Sequence, residues 1–256
     1  MKKTVLALSL AAMTLPALAQ QKAAEPDYTV SGNFGLFSDY RFRGISQTDL
    51  GPALQGGFDF AHKSGFYLGT WASSISEYTS FYGDGMEIDF YGGYKFALGD
   101  LGIDIGNLYY YYPGAVGAPD KPNTNEVYVG FSYGPVSLKT SYATTKYFGL
   151  AETKGTLYYD LSASIPLADG LTLSAHAGYL DLKNKVTSTG GDASSGTDYK
   201  LAISKALGAY TLSAAYIGNS GDWKKFNSQV DVDGGTGTDL KDLGKSAVVL
   251  SLSATF

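Results

Sequence analysis

The sequence predicts an all-β fold: a transmembrane, antiparallel, up-and-down β-barrel of about 12 strands. Three observations predict it. Runs with one apolar parity recur along most of the chain. The connections between them alternate short and long without a break. The apolar parity of the regular runs carries essentially no Asp, Glu, Lys or Arg. Composition agrees, with 21 Tyr, 13 Phe and 33 Gly in 256 residues. Beyond the N-terminus no apolar run reaches the ~18 residues of a membrane helix.

The strands follow in order. YTVSGNFGLF sets Tyr28, Val30, Phe34 and Leu36 on one face, and GPALQGGFDF sets Leu54, Phe58 and Phe60 there. SGFYLGTWAS divides Phe66 and Leu68 from Tyr67 and Trp71. GMEIDFYGGYKF separates Met86, Ile88, Phe90, Tyr94 and Phe96 from Glu87, Asp89, Tyr91 and Lys95. LGIDIGNLYYYY is strand-like with ambiguous parity, and Gly106 is a candidate bulge. NEVYVGFSY, PVSLKTSYATTKY, TLYYDLSASIPL and LTLSAHAGYL continue the alternation, as do TDYKLAISK, AYTLSAAY and the terminal SAVVLSLSATF.

The turns HKSG, ALGDLG, GP, PLADG and ALG are short. Residues 38–51, 74–85, 113–124, 145–154, 183–196 and 217–245 form longer, polar connections. Loops sorted this way fit short periplasmic turns and longer external loops; a sandwich has no reason to sort them by end. A Lys or Arg on the lipid face costs ~2–4 kcal/mol at mid-bilayer, which explains the charge-free parity. Closure then satisfies every strand edge, as lipid requires. Tyr and Phe near strand ends suit interfacial aromatic girdles.

Residues 1–19, MKKTVLALSLAAMTLPALA, read as a secretory signal with cleavage near Ala19. Lys2 and Lys3 give the charged region, Val5 to Leu15 the apolar one, and Ala17-Leu18-Ala19 the small-residue site. Residues 20–27 are then a periplasmic segment and 28–256 the barrel. Without Lys2 and Lys3, 17 basic residues face 24 acidic ones, a net charge of −7. An acidic exported chain is a poor nucleic-acid partner. No cysteine is present, so no disulfide framework and no lipid-anchored cysteine exist.

One stretch stands apart from the strand pattern. SDYRFRGISQ (Ser38 to Gln47), PALQGG (Pro52 to Gly57) and GFYLGTW (Gly65 to Trp71) form a set of motifs. Together they resemble the TorF porin family, also called Gcw_chp, whose pattern reads S-x-Y-x-F/W-R-G-x-S-Q, P-A-x-Q-G-G and G-x-Y-x-G-x-W. The resemblance is dense over residues 28 to 95 and looser to the end. It implies an outer-membrane barrel and a porin, and no particular substrate. The terminal Phe256 resembles the signal by which the barrel-assembly machinery recognises its clients.

Continuing the parity of the first strand places Tyr40 and Phe42 outward, at the lipid interface. Asp39, Arg41 and Arg43 then face the lumen or its mouth. The same projection gives Lys95, Lys139 and Lys200 as lumen cations, and Asp59, Glu87, Asp89, Glu126, Asp160 and Asp198 as anions. Gln55, Trp71, Tyr91, Tyr128, Tyr158 and His176 complete the lining. Two readings of this mixture stay open. Charged side chains set pore selectivity, or opposite charges pair across strands and fill the lumen. Twelve strands enclose less than the aqueous channel of 16–18-stranded porins. The lining is not basic overall, so strong anion selectivity is not expected.

Other chemistry finds less support. Only His62 and His176 could act as a catalytic base. His62 lies in a short turn; His176 is inward, with Ser174, Ser162 and Asp160 as available partners, and a lone inward His is more often lining. DVDGGTGTDLKD offers Asp231, Asp233, Asp239 and Asp242, but lacks calcium-loop spacing and its closing Glu. Residues 186–197 are low-complexity loop. Adhesion through loops of modest length ranks below transport. The expected protein is therefore no enzyme and needs no cofactor or metal. It sits in outer-membrane lipid of a Gram-negative cell and passes small solutes passively.

Overall fold

The computed structural model describes residues 26–76, 85–115, 121–188, 191–220 and 243–256. The signal segment 1–19, its cleavage point, most of residues 20–27, and the loop aspartates Asp231, Asp233, Asp239 and Asp242 lie outside the described residues.

Twelve strands close into one antiparallel barrel. They are β1 (Tyr28–Phe37), β4 (Ala53–His62), β5 (Phe66–Ser74), β6 (Met86–Leu98), β7 (Leu101–Tyr111) and β8 (Thr124–Tyr133). β9 (Val136–Ala143), β10 (Leu157–Pro166), β11 (Leu171–Asp181), β14 (Gly196–Leu207), β15 (Tyr210–Asn219) and β16 (Ala247–Thr255) complete it. Each pairs with its neighbours along the chain, and β1 pairs with β16 to close the ring. Two small hairpins stand apart: β2 (Arg41–Phe42) with β3 (Ile45–Ser46), and β12 (Val186–Ser188) with β13 (Gly191–Ala193).

The period-two pattern explains which face each strand shows. Val30, Leu36, Leu54, Phe58, Leu161, Leu201, Leu212, Val248 and Leu250 are all more than half exposed. Their in-between neighbours Gln55, Ala202, Ala215 and Val249 are buried. A continuous apolar belt of this size is far beyond the few hundred Å² that soluble monomers expose. The strand lengths, 8 to 13 residues, match the ~9–11 that cross a bilayer when tilted.

Two expectations need correction. Gly106 is not a bulge: β7 pairs without a break to both β6 and β8. Gly106 faces inward, and a Cβ there would stand 2.5 Å from Tyr128 Oη. The missing side chain makes room for the tyrosine. Nor do Tyr40 and Phe42 face lipid. β1 ends at Phe37, and the following residues turn into the barrel. The lipid-facing parity therefore stops at the strand end. Phe42 meets Tyr110 and Phe148 at ring distances of 5.6 and 5.5 Å, and Tyr40 meets Trp71 at 5.4 Å.

Candidate functional site

The hairpin of β2 and β3 is the centre of the site. Arg41 pairs with Ser46 and Phe42 with Ile45, leaving Arg43-Gly44 as a two-residue turn. Both turn residues have positive φ, +48° and +79°, as a type I′ hairpin turn requires. Glycine suits that geometry; arginine does so at a cost of ~1–2 kcal/mol. A Cβ on Gly44 would stand 2.6 Å from the Gly218 carbonyl oxygen and 2.9 Å from Asp198 Cβ. Gly44→Ala is therefore expected to unseat the hairpin, read as faster amide exchange in residues 40–46 of the folded barrel.

The two arginines act as latches in different directions. Arg41 Nε donates to Asp39 Oδ2 at 2.5 Å, and its Nη1 donates to the carbonyls of Leu243 and Lys245 at 3.0 and 2.9 Å. Ser46 Oγ donates to Asp39 Oδ1 at 2.6 Å, closing the inside of the loop. Arg41 so ties the loop to the connection before β16. Arg43 reaches the wall instead. Its Nη2 donates to both Glu126 oxygens at 2.9 Å, and its Nη1 donates to Tyr147 Oη at 2.7 Å. The guanidinium also lies 3.9 Å from the Tyr158 ring centre. Side chains of the Arg43–Glu126 pair are 8% and 3% exposed. Burial opposes the Arg43 charge, but Glu126 together with Tyr147, Tyr110 and Tyr158 outweighs it and holds the guanidinium well above its ordinary value.

Around the hairpin sits an apolar cluster inside the barrel. Ile45, Tyr110, Tyr112, Tyr147, Phe148, Leu150, Tyr158 and Leu243 are buried there, with Tyr40, Phe42 and Leu108 against them. Phe148 comes from a short 3-10 turn, Tyr147–Gly149. Below Tyr40 lie Glu87 and Asp89, 1% and 7% exposed. Tyr40 Oη donates to Glu87 at 3.3 Å. Burial first, then Glu87 and Asp89, push the Tyr40 phenol well above its usual range. Burial and Glu87 do the same to Tyr112. Both phenols stay protonated and able to donate.

Burial falls off from the long-loop end to the short-turn end. Along the inward face of β8, Thr124 and Glu126 are buried, Tyr128 is half-buried and Ser132 is exposed. β9 mirrors this, from buried Ala143 and Ser141 to half-buried Lys139 and Ser137. The open part holds three cavities of about 390, 440 and 240 Å³. The first two share Lys139 and Asp160; the last shares His176 and Lys200 with the first. Their shared residues join them into one chamber beneath the loop, lined by charged and hydroxyl side chains beside apolar ones.

The expected lining residues separate into two groups. Asp39, Arg41, Arg43, Glu87 and Glu126 are engaged within or against the inserted loop, and Gln55, Trp71 and Asp89 lie on the wall beside it. Asp59, Lys95, Lys139, Asp160, His176 and Lys200 lie lower. Asp59 accepts from Tyr91 Oη at 2.5 Å, and Lys95 stands 3.9 Å from Asp104. His176 bridges two carboxylates, Nδ1 to Asp160 at 3.1 Å and Nε2 to Asp198 at 2.7 Å. Ser162 Oγ lies 3.2 Å from Nδ1 but donates to Asp160 at 2.6 Å. Carboxylates at both ring nitrogens leave neither nitrogen free to take the serine proton. Sequence reasoning missed Tyr147, Phe148 and Leu243. For the first two a signal is present: KYFGL is an apolar island within the polar connection 145–154.

Known proteins place this architecture. A NanC porin aligns over 88% of this chain and 99% of its own, at a TM-score of 0.54 and 9% identity. A KdgM porin solved with disordered oligogalacturonate covers 89% and 98%, at 0.50 and 8%. A membrane protein from an in-meso crystallisation study covers 89% and 83%, at 0.53 and 7%. At such identities the likeness is one of fold. No curated protein matches the sequence. The family pattern described as "Bacterial protein of unknown function (Gcw_chp)" matches residues 20–256, and the chain, with its closed barrel and inserted SDYRFRGISQ loop, belongs to that family.

Proposed function

We propose that this protein is a porin-like channel of the outer membrane, passing small solutes passively through a lumen narrowed by loop 1, residues 38–52. The observation that carries this reading is the burial gradient inside the barrel. A hydroxyl-lined and charged chamber opens at the short-turn end, while the long-loop end is packed. A barrel built only as a scaffold has no need of exposed inward lysines such as Lys95 and Lys200. The apolar belt supports a lipid setting, and the fold likeness to NanC and KdgM porins supports a channel over an enzyme. In this reading the short turns face the periplasm, residues 1–19 are an export signal, 20–27 a periplasmic lead, and 28–256 the barrel. Phe256 supports recognition by the barrel-assembly machinery through its exposed ring and its backbone pairing with Gly32.

A closed, structural barrel is the second reading, and the apolar cluster around loop 1 favours it. Osmotic swelling of liposomes carrying the folded protein separates the two. Swelling in small neutral solutes, with a sharp loss as solute size rises, is the expected result. No swelling in any solute would leave the scaffold reading.

A further inference from the structure

Cross-strand register lays a row of charges across the inner wall. Lys95 faces Asp104, Asp104 faces Gly130, and Gly130 faces Lys139. Lys139 faces Asp160, Asp160 faces Gly178, and Gly178 faces Asp198. Barrel strands tilt by ~35–45°, so a row perpendicular to them climbs the wall. It runs from the short-turn end of β6 to the long-loop end of β14, beside the Gly44 turn.

One step of the row is open. Lys139 and Asp160 are direct neighbours of opposite charge, where Cβ atoms stand ~4.5–5.5 Å apart. Among the described residues the Lys139 ammonium makes no hydrogen bond and no contact ion pair; it lies 5.5 Å from the Tyr128 ring centre. Asp160 is committed through one oxygen. Oδ1 accepts from Ser162 and contacts His176, while Oδ2 carries no hydrogen bond. Both side chains line the two larger cavities, with Ser132, Ser137 and Ser162 close by. Below the loop Lys95, Lys139, Lys200 and His176 stand among Asp59, Asp104, Asp160 and Asp198, so both signs of charge meet in the chamber. A solute with net charge meets a like charge about one strand away; a compact zwitterion meets complementary charges at both ends.

We propose that Lys139 and Asp160 form a subsite for small zwitterionic solutes of the α-amino acid class. Lys139 takes the solute carboxylate and Asp160 Oδ2 its ammonium. This deepens the channel reading and rests on it only for transport. Liposome swelling compares L-alanine with lactamide, a neutral solute of similar size. Wild type is expected to favour L-alanine. Lys139→Gln and Asp160→Asn are expected to lower that ratio about two- to fivefold, the range of an exposed ion pair. Variants that keep heat-modifiable gel mobility but leave the ratio unchanged would overturn the proposal, as would a wild-type ratio near one. If neither solute enters, the channel reading fails, and saturation-transfer NMR of L-alanine on detergent-folded protein decides the subsite. A signal lost in Lys139→Gln supports it; no signal in wild type overturns it.

Discussion

The Arg43→Met variant is expected to form a folded barrel that conducts several-fold better than the wild type. Arg43 makes three hydrogen bonds, two to Glu126 and one to Tyr147, and stacks over Tyr158. Removing it leaves Glu126 nearly buried with a lone charge. Breaking such a pair costs about 3–5 kcal/mol. Little of that cost falls on the barrel, whose strand ladder does not involve residue 43. It falls on the docked loop. The left-handed turn at Arg43 adds to the release, because its strain is held only while the latch is made. Replacing both partners, Arg43→Met with Glu126→Gln, removes the stranded charge and should restore part of the docking. Amide exchange in residues 40–46 measures this directly: fast in Arg43→Met, slower in the double variant.

Leu201→Arg should damage the barrel itself. Leu201 is 55% exposed on β14, opposite Ala175 and Tyr216, within the apolar belt. An arginine there costs ~2–4 kcal/mol at the bilayer midplane. Its neighbour Lys200 points inward, so Lys200→Arg is expected to leave stability unchanged. Denaturant unfolding in lipid vesicles compares the two. Equal midpoints for Leu201→Arg and wild type would mean that this face does not meet lipid.

The barrel was legible because its outward face is apolar and its inward face polar, which imposes a strict period of two. Leu201 against Lys200, or Leu161 against Asp160, states the side of the wall without reference to any other strand. The loop was not legible for the same reason. Tyr40, Arg41, Phe42 and Arg43 alternate as a strand does, but their alternation belongs to a hairpin inside the barrel. Parity says which residues share a face; it does not name the medium that face meets. Here the medium is supplied by Phe148 and Leu243, about 105 and 200 residues away. The charges were legible as inward and not as paired: Arg43 and Glu126 are 83 residues apart and meet only because the loop turns in. Gly106 shows a smaller version of the problem. A glycine in a strand signals a bulge or a close approach, and only the partner, Tyr128, decides which.

Single-channel conductance in planar bilayers, wild type beside Arg43→Met, tests the central claim that loop 1 sets the constriction of an otherwise open lumen. The expected result is small, discrete steps for the wild type and several-fold larger ones for the variant. Equal conductance in the two, or no channels from either folded protein, would contradict it.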